Sequence, residues 1–531
     1  MIYFVPAWLY SGLRPTDFDD TVHQCQIFSK GDAAIELMMI QYTPNLSANL
    51  HTQNLLEIPH WSVFDDIQAT HFDSYRALTF DDFNWPAGIE KIYTPFNIVV
   101  NYQYRRIGQV VFNDDGQISE ISRFQDDLIV EKLLIDSRGF VSSIRHYNGR
   151  GRAAYQDYLD LSGHWRIRET LSNGQQSITV NPSFSADFQQ LNYENLDQVI
   201  IEFTKKHLLQ QGSGKNTIIL AADPEQDPLI WQARTSEKVI LSFFANRYRM
   251  TDAADTQLKQ EITLAAGLIA DEKNNLKRLE QKITDFFPRP EQTAQLAKIY
   301  ELTPYDTRLQ LGQSQREKML TIYMPIKHIS LAFAEEIVDL LFAKMLDNSQ
   351  IGLFLAISND DQLAEINTWI KNRVADIFQI VFPDQDANPD ASDFQQGENQ
   401  LTDVQPVDPA LTEAQAFLSR VSVKKIQSER AIIASLRPVR LVIDLASETD
   451  LFTQIAAISA GIPQINFQAS EYVADHKNGL ILKKLSDLSA AVDYYFIGLQ
   501  HWNEALVYSV KQMEKYTDFN LLNHWLEALS E

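Results

Sequence analysis

The stretch that decides the fold reads Leu441-Val-Ile-Asp-Leu-Ala-Ser-Glu-Thr-Asp-Leu-Phe-Thr-Gln-Ile-Ala-Ala-Ile-Ser-Ala-Gly-Ile-Pro463. A buried strand runs to Leu445. Ser447 is placed to cap a helix that ends at Gly461, and Pro463 leads into a further strand at Gln464–Phe467. Strand, helix and strand in that order make a βαβ unit, which implies a parallel sheet.

The same alternation extends outward from this stretch. A helix is expected near 427–436. Strands near 320–324, 351–357 and 377–382 lie among helices at about 256–267, 331–346 and 362–375. At the other end, strands Ile2–Val5 and Ala34–Tyr42 flank a helix over Phe18–Ser29, with Thr16 or Asp17 as its cap. Gln198–Leu209 reads as a helix, and Thr217–Ala222 and Lys238–Phe244 as strands. Between about 98 and 182 the period drops to two. Asp115-Gly116, Arg138-Gly139, Asn148-Gly149 and Asn173-Gly174 punctuate that stretch as hairpin turns, so an antiparallel meander is inserted there. Such a meander is either scaffolding or a docking surface through its edge strand. Asp384–Asn399 reads as a solvated acidic loop, and amphipathic helices fill the chain from about 484.

The expected organisation is therefore α/β, with two Rossmann-like lobes and an inserted antiparallel β-sheet domain. The first lobe takes 1–98 and 183–236, the insert 99–182, the second lobe 237–483, and helices packing back across the lobes 484–531.

Composition narrows the function classes. With 531 residues, 45% of them hydrophobic and 22% charged, the chain has ample material for several cores. The net charge of −24 disfavours nucleic acid, because a phosphate backbone would be repelled. Arg145, His146, Arg150 and Arg152 are the nearest thing to a basic cluster, and they read as a solvated turn. Cys25 stands alone, so no disulfide within the chain and no cysteine-based zinc site is expected. The opening MIYFVPAWLY is apolar but short, lacks a basic lead and is broken by Pro6, so it reads as a buried strand. No apolar run approaches the roughly 20 residues needed to cross a bilayer, and the expected location is cytoplasmic.

Several catalytic motifs fail on inspection. Gly212-Ser-Gly-Lys-Asn216 lacks the earlier glycine and the Ser or Thr of a phosphate loop, and it precedes a strand where such a loop follows one. No nucleophile elbow or H-E-x-x-H motif is present, and the eleven histidines are scattered. Asp65-Asp66 and Asp81-Asp82 are adjacent carboxylates whose side chains diverge, so neither is an acid/base dyad. No cofactor or metal is expected.

The segment quoted first, continued by Glu471-Tyr-Val-Ala-Asp-His-Lys-Asn-Gly479, resembles the donor-binding motif of glycosyltransferases of the GT-B fold. The resemblance implies a GT-B-like arrangement of the two lobes. It places Glu448 at the first of two donor glutamates, but the second, which would hold the ribose, falls on Ala456. The small glycine-rich lead-in that takes the nucleotide phosphates is replaced by Thr449-Asp450-Leu451. Asp450 sets a carboxylate where a diphosphate would sit. The basic clamp expected after the strand Thr321–Ile329 is reduced to Lys327, with no glycine behind it and no arginine near. The scaffold of the motif is present, while its chemical groups are missing.

A more specific resemblance runs along the whole chain. It is carried by MIYFVPAW at the start, Phe18-Asp-Asp-Thr-Val-His-Gln24, Trp61-Ser-Val-Phe-Asp-Asp-Ile-Gln68, Asn84-Trp-Pro-Ala-Gly88 and Tyr93-Thr-Pro-Phe96. Asp136-Ser-Arg-Gly-Phe-Val-Ser-Ser143, Leu241-Ser-Phe-Phe-Ala-Asn-Arg247 and Thr303-Pro-Tyr-Asp-Thr-Arg-Leu309 continue it. These are similar to the first accessory secretory protein of the accessory Sec system of Gram-positive cocci and lactobacilli. The resemblance implies a cytoplasmic protein needed to export serine-rich-repeat glycoprotein adhesins; that it does so without catalysis is expected from the missing donor-site groups. Implied partners are the second and third accessory secretory proteins, the accessory SecA ATPase, the glycosylated adhesin and the inner face of the membrane. If a sugar is held between the lobes, Trp8, Tyr10, Asp19 and Asp20 near the first loop offer aromatic faces and hydroxyl acceptors, beside Glu448 and Asp450 of the degenerate donor site. Core packing is the competing reading for Trp8 and Tyr10. Two other functions stay open: an active glycosyltransferase using a UDP-sugar, and a structural subunit with no ligand.

Overall fold

The computed structural model describes residues 1–8, 17–31, 33–71, 76–95, 97–113, 115–172, 177–212, 216–307, 314–382 and 408–530. The chain divides into two compact units, Met1–Pro304 with Leu521–Glu531, and Tyr305–Asn520.

The first unit is built on β1 (Ile2–Val5), β2 (Ile35–Met39) and β3 (His60–Ser62). β1 is buried almost throughout, as its apolar run requires, and pairs parallel with β2, Ile2 opposite Ile35. The chain then leaves to form ten antiparallel strands. These are β4 (Glu90–Tyr93), β5 (Asn97–Tyr102), β6 (Arg105–Phe112), β7 (Ile118–Gln125), β8 (Leu128–Asp136), β9 (Phe140–Tyr147), β10 (Ala153–Leu159), β11 (Trp165–Thr170), β12 (Ser177–Val180) and β13 (Asn192–Tyr193). On return it adds β14 (Thr217–Ala221), β15 (Lys238–Phe243), β16 (Gly267–Ala270) and β17 (Ile299–Glu301), giving a seven-stranded parallel sheet in the order β17-β16-β15-β14-β1-β2-β3. β15 lies beside β14, with Lys238 opposite Thr217. The boundary expected at 236 therefore falls inside the first unit, which runs on to Pro304. A strand's local pattern shows that it is buried; the crossover that delivers it decides which sheet it joins.

The insert is a meander wider than 99–182, from Glu90 to Tyr193. Its outer part has its own core on one face, Ile98, Val100, Val110, Ile121 and Leu133, against which Phe80 and Trp85 pack. The glycine at 108 makes room for that cover, since a Cβ there would lie 2.6 Å from the Trp85 ring. Gly116 and Gly139 turn with φ of +77° and +97°, as their positions imply. In the β9–β10 turn Gly151, not Gly149, has positive φ, and the Asn148 side chain accepts from the amides of Arg150 and Arg152. The Asn173-Gly174 turn lies outside the described residues. At its base the meander is pinned by buried and half-buried polar contacts: Tyr42 Oη to Ser142 and Ser143, Gln68 Nε2 to the Ser142 and Leu159 carbonyls, and Arg138 to Asp65.

The second unit carries β18 (Leu320–Pro325), β19 (Ile351–Ile357), β20 (Val421–Lys425), β21 (Val439–Asp444), β22 (Gln464–Asn466) and β23 (Gly479–Ile481) in a parallel sheet ordered β20-β19-β18-β21-β22-β23. The strand expected at 377–382 does not form. The helix Asp360–Phe378 runs into it and is stopped by Gln379 in the left-handed conformation, and Ile380 and Phe382 pack on the core from the loop that follows. The acidic loop Asp384–Asn399 lies outside the described residues. Of the last helices, Leu488–Phe496 and Gln500–Lys515 belong to the second unit, while the helix Asp518–Ser530 passes into the first. There Trp525 meets Phe28 edge to face at 5.9 Å, and Leu522 sits directly over Gly31, where a Cβ would collide with its Cδ2.

Candidate functional site

In open parallel sheets, ligands bind beyond the carboxyl ends of the strands where the strand order reverses. Each unit has one such point: between β1 and β14 in the first, and between β18 and β21 in the second.

In the second unit β21 ends on Asp444, which is fully buried. The following turn wraps around its carboxylate, with the Ala446 amide donating to Oδ1 at 3.2 Å and the Asp450 amide to Oδ2 at 2.9 Å. Burial, reinforced by the nearby Asp450 charge, pushes Asp444 up to about 7 against the pull of those two amides. The next helix, Leu451–Ala460, is capped by Asp450 and not by Ser447. The Asp450 carboxylate accepts from the Thr453 amide at 3.2 Å and the Thr453 hydroxyl at 3.0 Å. Ser447 is displaced from the cap because the residues after β21 close over Asp444 before helical geometry begins. Gly461 ends the helix in the left-handed conformation, as its position implies.

Chain carboxylates thus occupy amides that point out of this switch point. A helix N-terminus and its lead-in favour anions because their N–H groups are unsatisfied; here Asp444 and Asp450 already accept from them. Glu448 is half-buried in the same turn, and Lys327 and His328 follow β18 on the surface. The His328 imidazole is lowered by partial desolvation and then by Lys327, with Asp450 and Glu448 opposing. The remaining pieces of the motif hold the loop together. Ser470 Oγ donates to Gln454 Oε1 at 2.7 Å, and Asn478 spans the loop from the Tyr472 carbonyl to the Ala474 amide. A Cβ on Gly479 would come within 2.5 Å of Val473 Cγ1 and 2.6 Å of the Gln464 carbonyl oxygen, so only glycine fits there. Ala456 presents a methyl group on the half-buried side of the helix.

In the first unit Asp19 caps the helix Asp20–Lys30 through the Val22 amide at 3.2 Å. Burial first, then the neighbouring Asp20, pushes Asp19 up to about 6. Asp20 is not free to accept a sugar hydroxyl. It is fully buried in a two-pronged ion pair with Arg247, at 2.5 and 3.0 Å, and Ser242 Oγ donates to it at 2.9 Å. Arg247 also donates to the Ala222 and Ser242 carbonyls, which ties β14, β15 and the first helix into one network. Asp271, pushed up to about 6 mainly by burial, accepts from the Ala245 amide and from Asn275 behind it. Trp8 is buried. Tyr10 lies outside the described residues. Arg247, Asp271 and Asp444 carry no signal as site residues in their sequence neighbourhoods. Among the described residues no group of His, Cys, Asp and Glu is arranged to hold a metal ion.

The family model that describes the first accessory secretory protein of the accessory Sec system matches residues 2–531. A protein of Streptococcus gordonii with that same description is 34% identical over 555 aligned positions, covering 100% of this chain and 99% of that protein. A chain in the crystal structure of accessory secretory proteins 1, 2 and 3 of Streptococcus pneumoniae superposes with a TM-score of 0.78 at 27% identity, over 100% of this chain and 99% of that one. The pneumococcal O-GlcNAc transferase GtfA, solved with UDP and GlcNAc, superposes with a TM-score of 0.71 at 10% identity, over 100% of this chain and 98% of that one. At that identity the likeness is one of fold, and the GT-B-type fold expected from the donor motif is the fold observed.

Proposed function

The chain belongs to the family of the first accessory secretory protein of the accessory Sec system, and from that premise we propose that it is a non-catalytic, glycosyltransferase-like component of adhesin export. In this reading it binds a glycosylated serine-rich-repeat adhesin and joins the second and third accessory secretory proteins at the cytoplasmic face of the membrane, in cooperation with the accessory SecA ATPase. The observation that carries the non-catalytic reading is the Asp450 cap. A carboxylate that already accepts the Thr453 amide repels a nucleotide diphosphate from the helix N-terminus placed to receive it. Ala456 in place of a ribose-holding carboxylate adds to this. The partner reading is supported by the similar pneumococcal chain, whose structure was solved with accessory secretory proteins 2 and 3. Contact with the membrane would be peripheral, since no described helix is long and apolar enough to cross one.

The polar rim of the second-unit switch point, with His328 on the surface, leaves hydroxyl-binding groups in place after diphosphate binding is lost. A glycan therefore remains an admissible ligand. The test is a pair of titrations on the full chain. Millimolar UDP-N-acetylglucosamine is expected to leave the melting temperature unmoved, because a ligand that binds the native state must raise it. Adhesin peptide bearing N-acetylglucosamine is expected to bind above its unglycosylated counterpart. A UDP-sugar-dependent rise in melting temperature, or turnover, would overturn the non-catalytic reading. Equal binding of both peptides would overturn the glycan reading.

A further inference from the structure

The helix Gln500–Lys515 buries one face, Trp502, Ala505, Ser509, Gln512 and Met513, against the second unit, and the Trp502 indole donates to the Arg440 carbonyl at 2.9 Å. Its other face is turned to solvent. Gln500, Asn503, Glu504, Val507, Tyr508 and Lys511 lie together along it as an open surface. Val507 and Val510 are 60% and 37% exposed there. Covering these two valines would remove apolar area from water, which favours a partner on this face.

We propose that this face is a self-association surface on which a second copy of the same chain packs its own Gln500–Lys515 helix antiparallel. The argument is charge register. Glu504, Val507, Tyr508 and Lys511 are spaced at i, i+3, i+4 and i+7, so they form one stripe along the helix. In an antiparallel pair related by a two-fold axis, each contact is made twice, residue for residue. Setting Val507 of one copy against Tyr508 of the other makes a central layer of valine on tyrosine, with the Lys477 ammonium 5.1 Å from the centre of the Tyr508 ring at its side. The same register brings Glu504 against Lys511 of the second copy, and Lys511 against its Glu504. A parallel pairing would instead set Glu504 beside Glu504 and Lys511 beside Lys511. Glu504 receives a hydrogen bond from Gln500 Nε2 and lies 3.0 Å from His501 Nδ1, so its carboxylate is already oriented. Lys511 is exposed at the other end of the stripe. One helix pair buries less surface than a permanent dimer needs, so the association is weak and reversible.

The test is sedimentation of the full chain across the micromolar range. Wild type is expected to show a concentration-dependent monomer–dimer equilibrium. Glu504→Lys and Lys511→Glu each create two like-charge pairs and are expected to weaken dimerisation about tenfold or more, while the double exchange restores it to near wild type. Both side chains are exposed, so unchanged melting temperatures would show that the variants fold. A wild type that stays monomeric throughout would overturn the proposal. So would a dimer that the single variants leave intact, or one that the double variant fails to restore.

Discussion

The Asp450 carboxylate accepts both the amide and the hydroxyl of Thr453, so the helix Leu451–Ala460 carries its own anion at its N-terminus. In a nucleotide-binding protein of this fold such amides would face a ligand. Here they are part of the resting structure, and the consequence can be measured as stability. Asp450→Ala removes the cap and is expected to destabilise the second unit by about 1 kcal/mol, with Asp450→Ser or Asp450→Asn near neutral. Chemical denaturation would read both. An alanine variant as stable as wild type would mean that the cap contributes nothing.

Asp444 makes the second unit sensitive to pH. Its value in the fold, about 7, stands above the ordinary carboxylate value of about 4, so the native state holds the proton more tightly than the unfolded chain does. The stabilisation from this group is full below about pH 4 and is lost as the pH rises through about 7. Asp19 and Asp271, both pushed up to about 6, act in the same direction in the first unit. Asp444→Asn is expected to flatten the fall in melting temperature over the window from about pH 4 to about pH 7 relative to wild type. Parallel curves for the two proteins would contradict the assignment.

Arg247 is the counter-charge of Asp20, and in spite of burial the Asp20 and Asp19 carboxylates hold its guanidinium above the ordinary arginine range. Arg247→Ala leaves Asp20 buried without that partner, and breaking such a pair costs about 3–5 kcal/mol. Arg247→Lys keeps the charge but not the two-pronged geometry, so it is expected to fall between wild type and alanine. Urea unfolding of the three proteins gives the order.

These predictions rest on residues that are unequally legible in the sequence. β21, the helix after it and its glycine stop can be read from Leu441 to Gly461 because burial, period and capping chemistry are all local there. The cap itself moves from Ser447 to Asp450 because the turn that closes around Asp444 is a tertiary feature with no periodic signal. The hairpin turns at Gln103-Tyr104 and Asp126-Asp127 escape a reading based on glycine, since they adopt positive φ without it. The pairing of Asp20 with Arg247 spans 227 positions. No window along the chain contains it, so Asp20 reads as available to a ligand. The assignment of β15, β16 and β17 to the first sheet is hidden likewise, since every βα repeat in this chain looks alike until its crossover is known.

Arg138 tests how firmly the inserted meander is tied to the first unit's parallel sheet. It lies in the turn between β8 and β9 and grips two carboxylates. Its Nη1 and Nη2 donate to Asp65 at 2.9 and 2.6 Å, and its Nε and Nη2 donate to Asp136, each at 2.9 Å. Asp136 is buried, and burial raises its value in spite of the guanidinium, so the carboxylate depends on that partner. Asp65 belongs to the helix Val63–Gln68 beside the parallel sheet, which makes the arginine a clamp between insert and sheet. Arg138→Ala strands both acids and is expected to cost about 3–5 kcal/mol. Because the clamp is local, hydrogen exchange is expected to quicken at residues 63–68 and 136–143 and to stay unchanged in the second unit's sheet. Replacing Asp65 and Asp136 by Asn in the same chain removes the stranded charges, and most of the lost protection is expected to return. If exchange rises evenly over the whole chain, or the added Asn changes restore nothing, the clamp is not what holds the insert.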